Sequence, residues 1–283
     1  MTINDNQIIF GHSPDVDDAF MFFAMEKKYV EISGYSVAHH MEDIESLNVL
    51  AESGKLPVTA ISAARYPDVA AHYRIMSCGS SIGRNYGPMV VSADPMTESD
   101  LEGKRVAVPG IFTTSWLLFQ IFGPKKCEPV FVDFDDVGPA VEEGRADVGI
   151  LLHEGQILYE KLGFHGIMSL GEKWHEATGL PIPLGVDLVS RQIGDELAQE
   201  IADASLASIN YARDHEDDAL EYALGFGRGI DPEDGKKFVR MYVNEDTVDM
   251  GEEGRQALEK LFSMAVERGV LGELPELDIV QAK

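Results

Sequence analysis

Short apolar runs alternate with amphipathic segments through the first two thirds of the chain. This pattern is typical of an α/β protein, in which strands and helices follow one another. The apolar runs predict strands at residues 7–11, 35–39, 58–62, 73–77, 89–92, 105–108, 130–134 and 148–152. Helical spacing predicts helices at residues 17–26, 44–53, 114–122 and 137–143.

A change of pattern follows a further predicted strand at residues 183–190. From Gly194 to Val270 the sequence predicts one helix after another. Asp231 followed by Pro232 indicates a helix start, since aspartate caps a helix and proline fits its first position. Residues 251–268 repeat apolar side chains along one face, so this helix is expected to pack on a sheet or on other helices.

The chain has no internal repeat and no Gly/Ser linker. Two lobes would therefore be joined by strands that cross between them, at residues 87–92 and 184–190. We expect one lobe to combine residues 1–91 with 188–283, and residues 92–187 to form an inserted second lobe. A cleft between two lobes is a favoured place for a ligand.

The net charge of the chain narrows the classes of molecule that it is expected to bind. The 283 residues include 23 Lys and Arg against 49 Asp and Glu, a net charge of −26. Nucleic acid and anionic membranes are disfavoured because they are negatively charged as well. The charge is interpreted as a solubility adaptation, with an acidic binding surface as the alternative. With no signal segment and no long apolar run, the expected location is the cytoplasm.

Several short stretches match known functional motifs, but the residues around them do not support the function. Residues 79–83 fit G-x-S-x-G, but a loop follows where a nucleophile elbow needs a helix. Asp15, Asp17 and Asp18 could hold a metal ion, but no second acidic cluster completes a site, and helix starts attract acidic residues anyway. Cys78 and Cys127 have no metal-binding spacing. The residue patterns therefore favour a helix start over a metal site, and without a P-loop or a G-x-G-x-x-G motif they give no support to a nucleotide cofactor. The sequence indicates no oligomeric state.

Two junctions between a strand and a helix are candidates for ligand binding. Ser13 follows the first strand, where open α/β sheets bind ligands, although a plain helix cap explains it equally well. Thr113, Thr114 and Ser115 stand at the start of the helix predicted over residues 114–122. Three hydroxyl groups exceed what one cap requires, so an anion bound at this helix start is favoured over capping alone.

Two further candidates carry weaker signals by themselves. His153 follows the strand at residues 148–152 and could take a proton near neutral pH, with neighbouring Glu154 orienting it. A lone histidine is more often structural. Asp43 is a good cap for the helix that begins at Ile44, and Asn48 lies in the second turn of that helix.

Taken together, these stretches resemble the 1,4-dihydroxy-6-naphthoate synthases of the futalosine route to menaquinone, which are relatives of type II periplasmic binding proteins. The similarity covers nearly the whole chain, and VPG-x-x-TT and LLHE are its more specific motifs. It includes EDIESLNVLAESGKLPVTAIS (42–62), GRNYGPMVV (83–91), RVAVPGIFTTSWLL (105–118), EEGRADVGILLHEG (142–155), KWHEATGLPIPLG (173–185) and YVNEDTVDMGEEG (242–254).

The resemblance implies an α/β fold of two lobes with a central cleft and a two-strand hinge. It implies a lyase without metal or organic cofactor, which converts cyclic de-hypoxanthine futalosine to the naphthoate and a small carbonyl fragment. The family's histidine base falls on His153, its ligand-holding threonines fall on Thr113 and Thr114, and its binding serine falls on Ser62.

The chain departs from the family at two places. Where members commonly read S-P-C-P-N-D, residues 13–18 read SPDVDD, so only Ser13, Pro14 and Asp18 carry over. Many members have a lysine two residues before the binding serine, and here that position is Ala60. A lyase of altered substrate and a non-catalytic binding protein for small carboxylates therefore stay open as alternatives.

The expected partner is a small-molecule carboxylate. The expected substrate-binding residues are Ser13, Asp18, Asn48, Ser62, Thr113, Thr114 and Ser115.

Overall fold

The computed structural model describes residues 6–84, 86–153, 155–226 and 231–283. Its strands, in chain order, are β1 (Gln7–His12), β2 (Ser36–Met41), β3 (Val58–Ser62), β4 (Tyr73–Met76), β5 (Ser81–Gly83), β6 (Met89–Ser92), β7 (Arg105–Val108), β8 (Glu128–Phe131), β9 (Val148–Leu151), β10 (His165–Ser169), β11 (Ile182–Ser190) and β12 (Ile279–Val280).

The helices follow the same order. They are α1 (Val16–Glu26), α2 (Ile44–Ala51), α3 (Tyr66–Val69), α4 (Thr114–Phe122), α5 (Val137–Glu142), α6 (Gly155–Leu158), α7 (Leu170–Thr178), α8 (Asp195–Asp214), α9 (Glu216–Leu224), α10 (Pro232–Tyr242), α11 (Glu245–Val248) and α12 (Gly251–Arg268). Within the described ranges, no helix is both long and apolar enough to cross a membrane.

Two sheets organise the chain. The larger runs β12-β4-β11-β3-β1-β2, with β5 also paired to β11, and the smaller runs β10-β6-β9-β7-β8. In the larger sheet β1 is parallel to β2 and β3, whereas β11 is antiparallel to β3 and β4. The chain thus passes to the smaller sheet between β5 and β6 and returns between α7 and β11. The division into domains at residues 91/92 and 187/188 stays a prediction.

One predicted strand is displaced. The strand expected at residues 130–134 lies at Glu128–Phe131, because Phe134–Asp136 form a short 3-10 helix instead. Three strands were not predicted: β5, β10 and β12, which have three, five and two residues. Strands β5 and β12 are too short for a period-2 pattern to be visible. Strand β10 (HGIMS) has only two apolar side chains, Ile167 and Met168, and they are adjacent, so it shows neither alternation nor an apolar run.

Helix α1 is buried on every side, from Val16 to Met25. It packs against α8 and α9, and its apolar residues belong to the same core cluster as β1. A helix that is apolar all round is expected in such a position. Packing therefore fixes the start of α1, and with it the aspartates of its first turn.

The predicted helix at residues 251–268 is confirmed as α12. The side chains of Ala257, Leu258, Leu261, Phe262 and Ala265 are buried, and the helix packs against β11 and α4. Asp231 caps α10 as predicted, accepting a hydrogen bond from the backbone N–H of Glu233 at 2.9 Å.

Candidate active site

A cavity, partly open to solvent, lies where segments that follow β1, β3, β7 and β9 converge with β11 and α10. Its lining combines apolar residues with several convergent polar side chains, which is typical of a small-molecule site. Seven of the eight predicted site residues line it: Ser13, Asp18, Ser62, Thr113, Thr114, Ser115 and His153. Asn48, the eighth, is fully buried and contacts Ser62 rather than the cavity. The roles of these residues stay predictions.

The loop after β1 is held by the first turn of α1. The Oδ2 atom of Asp18 accepts a hydrogen bond of 2.6 Å from the backbone N–H of Ser13. His12, the last residue of β1, bonds through Nδ1 to the backbone oxygen of Ser13 at 2.9 Å. Ser13 is therefore fixed from both sides, and Asp18 acts on the loop as well as lining the cavity.

Helix α2 positions Ser62. Asp43 caps the helix as predicted, with Oδ1 accepting from the backbone N–H groups of Glu45 and Ser46, each at 3.0 Å. The cap sets the orientation of the second turn, where Asn48 faces the end of β3. There, the Asn48 amide bonds to both the backbone and the hydroxyl of Ser62.

The three hydroxyl groups at the start of α4 are mostly used within the protein. Thr113 Oγ1 accepts from the backbone N–H of Trp116 at 3.3 Å and donates to the oxygen of Gly110 at 2.9 Å. The Ser115 hydroxyl donates to Thr113 Oγ1 at 3.0 Å. The first turn of a helix keeps further N–H groups without intrahelical partners, so these groups are the donors best suited to an anion.

Thr114 connects α4 to the larger sheet. Its hydroxyl donates to the oxygen of Leu184 in β11 at 2.7 Å and accepts from the backbone N–H of Ala64 at 3.0 Å. One hydroxyl group thereby joins α4 both to β11 and to the segment that follows β3. Hydrogen bonds within the protein thus explain part of why three hydroxyl side chains, those of Thr113, Thr114 and Ser115, stand at this helix start.

His153 stands directly after β9 with φ of +47°, in the left-handed region. Few non-glycine residues adopt this conformation, and such residues are found disproportionately at functional sites. Its Nδ1 lies 3.6 Å from Oδ2 of Asp15. The Phe134 ring meets the imidazole edge-on at 5.1 Å, and the Tyr242 ring lies nearly parallel to it at 6.2 Å. The proposed orienting residue, Glu154, lies outside the described residues.

Carboxyl groups dominate the charge of the cavity. Asp17, Asp18 and Asp187 line it, and among the described residues no lysine or arginine does. Burial, reinforced by the neighbouring carboxylates, raises the pKa of Asp17 to about 8. Burial raises the pKa of Asp18 to about 6, and it raises the pKa of Asp187 well above the usual range. At neutral pH, protons therefore offset part of the negative charge.

Among the described residues, Asp15, Asp17 and His153 form a group that could hold a metal ion. Each offers one ligand atom, and these atoms lie within 4.8 Å of one another. Two carboxylates and an imidazole would suit a transition-metal ion. The sequence-based expectation that the reaction uses no metal stays a prediction.

A carboxylate also joins α2 to the loop before α4. Glu45 of α2 accepts hydrogen bonds from the backbone N–H of Phe112, at 3.2 and 3.3 Å to its two oxygens. It lies directly against Gly110, where an added Cβ would come within 2.4 Å of the Glu45 carboxyl carbon. Glycine at position 110 thus allows this contact between α2 and the loop before α4.

Sequence reasoning missed several residues of the site. Asp187 could have been found, because it is a lone acidic residue in a strand that is otherwise largely apolar. Tyr242 lines the cavity from the end of α10, about ninety positions beyond His153, and no local pattern indicates it. Glu45 reads as an ordinary acidic residue of a first helical turn.

Solved structures with this fold define its class. A crystal structure of a protein from Archaeoglobus fulgidus matches with a TM-score of 0.90 and 41% identity, covering 95% of this chain and 100% of that one. A Candida albicans protein, described as having the generic periplasmic binding protein fold, matches with a TM-score of 0.70 at 14% identity, covering 98% of each chain. The predicted type II periplasmic-binding-protein-like fold is confirmed.

The chain belongs to the menaquinone biosynthesis family, whose model matches residues 8–267. A Thermus thermophilus protein named 1,4-dihydroxy-6-naphtoate synthase is 37% identical over 265 residues, which are 94% of this chain and 96% of that protein. A Streptomyces coelicolor protein of the same name is 33% identical over 269 residues, 93% and 94% of the two chains. The predicted enzyme of menaquinone biosynthesis is thereby confirmed over the non-catalytic binding protein.

Proposed function

We propose that this chain is a lyase that converts cyclic de-hypoxanthine futalosine to 1,4-dihydroxy-6-naphthoate, the product in the names of its relatives. The observation that carries the proposal is the setting of His153 in the cavity. Its imidazole lies 3.6 Å from the Asp15 carboxylate and nearly parallel to the Tyr242 ring, on a backbone of left-handed conformation. This setting supports a histidine that is held for chemistry.

His153 acts as the general base. It removes the proton from a hydroxyl group on the sugar-derived part of the substrate, and the adjacent carbon–carbon bond breaks in a retro-aldol manner. The electron pair of that bond passes into the ring system while the hydroxyl carbon becomes the carbonyl of the small fragment. Formation of the aromatic product drives the step, and general base catalysis contributes roughly 10²–10⁴-fold to the rate.

The substrate carboxylate binds at the start of α4. The hydroxyl groups of Thr113 and Thr114 donate within the protein, so the carboxylate is held mainly by N–H groups of the first turn and by the helix dipole. Ser62, which Asn48 holds at the cavity wall, supplies a further polar contact. Ala60 lines the same wall without charge, so this site binds the anion without the lysine common in the family.

The reaction needs no metal ion and no organic cofactor, because a base and an electron-accepting substrate ring account for the chemistry. The biosynthetic names of the relatives support a location in the cytoplasm. Small-molecule substrate is the only partner that the proposal requires.

The test is an activity assay with cyclic de-hypoxanthine futalosine, in which the naphthoate is followed by chromatography and mass. His153→Ala is expected to lower kcat by at least about 10²-fold, while a thermal shift with substrate persists. His165→Ala is the matched control, since His165 is an exposed histidine of β10.

Full turnover by His153→Ala would overturn the role of His153. A wild-type protein that shows a thermal shift with substrate, but no turnover, would instead favour the non-catalytic binding protein.

A further inference from the structure

We infer that Asp15, Asp17 and His153 bind a divalent transition-metal ion such as Zn²⁺, and that the bound ion inhibits the reaction by engaging the base. The ion is an inhibitor and not a cofactor, in keeping with a reaction that His153 carries out without metal. The inhibition rests on the proposed function, whereas the binding of the ion does not.

The ligand atoms lie close enough to share one ion. The His153 Nδ1 atom is 3.6 Å from Oδ2 of Asp15, and with one atom of Asp17 the three ligand atoms lie within 4.8 Å of one another. A hydrogen bond between nitrogen and oxygen is shorter, about 2.7–3.2 Å. Two ligands of one tetrahedral Zn²⁺ are about 3.3–3.6 Å apart, since each lies about 2.0–2.2 Å from the ion. The separation of His153 and Asp15 thus matches two ligands of one ion.

Helix capping does not account for Asp15. This residue stands at the N-cap position of α1, where an aspartate side chain usually accepts a hydrogen bond from an N–H group of the first turn. The Asp15 side chain makes no such bond to α1, and its Oδ2 atom is directed towards His153 instead. The helix start that the sequence favoured over a metal site is therefore not the role of this carboxylate.

Asp17 gives an independent indication that the site takes a ligand. Its side chain lines the cavity from the first turn of α1, and the residue is 4% exposed. Its Oδ1 atom is buried and, within the described part of the chain, has no hydrogen-bond partner. Burying a polar atom without a partner is costly, and coordination of a cation removes that cost. The cavity is partly open to solvent, so an ion can reach this carboxylate.

The charge of the surroundings also favours a cation. Four carboxyl groups, those of Asp15, Asp17, Asp18 and Asp187, belong to residues that are at most 9% exposed. Among the described residues that line the cavity there is no lysine or arginine to pair with them. Buried charges are normally paired or coordinate a metal. Because the ligand set includes an imidazole nitrogen, it suits Zn²⁺ and its transition-metal neighbours better than Mg²⁺ or Ca²⁺, which prefer oxygen alone.

The bound ion removes the base. A neutral imidazole has one nitrogen that carries hydrogen and one that accepts it. When Nδ1 of His153 coordinates the ion, Nε2 carries the hydrogen, so neither nitrogen can accept the hydroxyl proton of the substrate. Withdrawal of the ion by a chelator frees the imidazole again, so the inhibition is reversible.

The binding experiment needs no substrate. Isothermal titration calorimetry of the metal-free protein with Zn²⁺ is expected to show one site per chain. Asp15→Asn and Asp17→Asn keep the side-chain shape but remove a charged ligand, so each is expected to raise the Kd at least about 10-fold, because losing even a partner outside the ligand set weakens metal sites by that much. Asp133→Asn is the matched control, since it removes one exposed carboxylate.

Turnover assays with added Zn²⁺ test the inhibition. Activity of the wild type is expected to fall over the range of Zn²⁺ concentration in which calorimetry shows binding, and to return when a chelator is added. For Asp15→Asn, half inhibition is expected to need at least about 10-fold more Zn²⁺ than for the wild type or Asp133→Asn.

Two results would overturn the metal site. One is a wild type that binds no Zn²⁺ at a single site, and the other is an unchanged Kd in both Asp15→Asn and Asp17→Asn. Full or increased turnover with the site saturated would overturn the inhibition alone. A wild type without turnover in any metal condition would contradict the proposed function, while calorimetry would still decide whether the ion binds.

Discussion

Asn48 holds Ser62 with both ends of its amide. The Asn48 Oδ1 atom accepts from the Ser62 backbone N–H at 2.8 Å, and Nδ2 donates to the Ser62 hydroxyl oxygen at 3.1 Å. Asn48 is fully buried, so no water competes for these bonds. The orientation of Ser62 at the cavity wall thus depends on a side chain that does not line the cavity.

Asn48→Ala is expected to lower the free energy of unfolding by about 1–3 kcal/mol, because the buried backbone N–H of Ser62 loses its partner. It is also expected to raise KM, since the Ser62 hydroxyl is no longer held. Urea denaturation and steady-state kinetics measure the two effects. Ser53→Ala, which removes an exposed hydroxyl just after the same helix, is the control. Unchanged KM in a destabilised Asn48→Ala would show that Ser62 does not contact the substrate.

Much of the fold could be predicted because its elements carry local signals. The strand at Arg105–Val108 and the helix at Thr114–Phe122 have the predicted bounds. Strand β12 has only two residues and pairs with β4, about two hundred positions earlier. Such an element is specified by tertiary contacts, and no pattern within two residues can predict it.

The candidate site likewise has one part that could be predicted from the sequence and another that could not. Chemistry at strand ends, such as His153 after β9, could be located because strand ends converge at one edge of a sheet. The sequence could not predict which side chains form hydrogen bonds with each other. The hydroxyl groups of Thr113 and Ser115 bond to each other, and Asn48 bonds to Ser62. These pairings depend on distances that only the fold sets.

Gly110→Ala is expected to weaken the contact between α2 and the loop before α4. The added Cβ would lie 2.4 Å from the Glu45 carboxyl carbon, so Glu45 must leave the backbone N–H of Phe112. We expect a higher KM and a loss of stability of about 1–3 kcal/mol. Kinetics and thermal denaturation measure these changes.

Gly138→Ala is the matched control for Gly110→Ala. Its Cβ would meet Phe164 at 3.5 Å, an ordinary contact, within helix α5. The double variant Glu45→Ala/Gly110→Ala should lose less stability than the sum of the losses in the two single variants, because removing the Glu45 side chain also removes the clash with the added Cβ. Strict additivity of the two changes would contradict the assigned contact.

His12 and His39 are expected to make the protein sensitive to acid. Their rings bond at 2.9 Å in a part-buried position, and burial lowers the pKa of each to about 4. The unfolded chain, with histidines near 6.5, therefore binds more protons, and stability falls as pH drops from 6.5 towards 4. His39→Gln should flatten this dependence in urea denaturation, whereas exposed His165→Gln should not. Equal slopes in wild type and His39→Gln would contradict the assignment.

Chelation tests the trio of Asp15, Asp17 and His153. The proposed reaction uses His153 as a base, so treatment with a chelator followed by buffer exchange is expected to leave kcat unchanged. Added Zn²⁺ is expected to inhibit, since it would occupy the same atoms. Turnover assays before and after chelation, with metal content measured by mass spectrometry, decide the point. Activity lost on chelation and restored by one metal ion would make the site a metal centre instead.

Asp17→Asn is expected to stabilise the fold more as pH rises. The folded pKa of Asp17 is raised to about 8 against 3.8 for a solvated aspartate, so the folded state binds the extra proton between these values. The wild type therefore loses stability as pH increases from 4 to 8, on the order of a few kcal/mol. Asparagine has no proton to lose. Urea denaturation at pH 5 and pH 8 should show a gain for Asp17→Asn that is larger at pH 8, while Asp133→Asn shows no such trend.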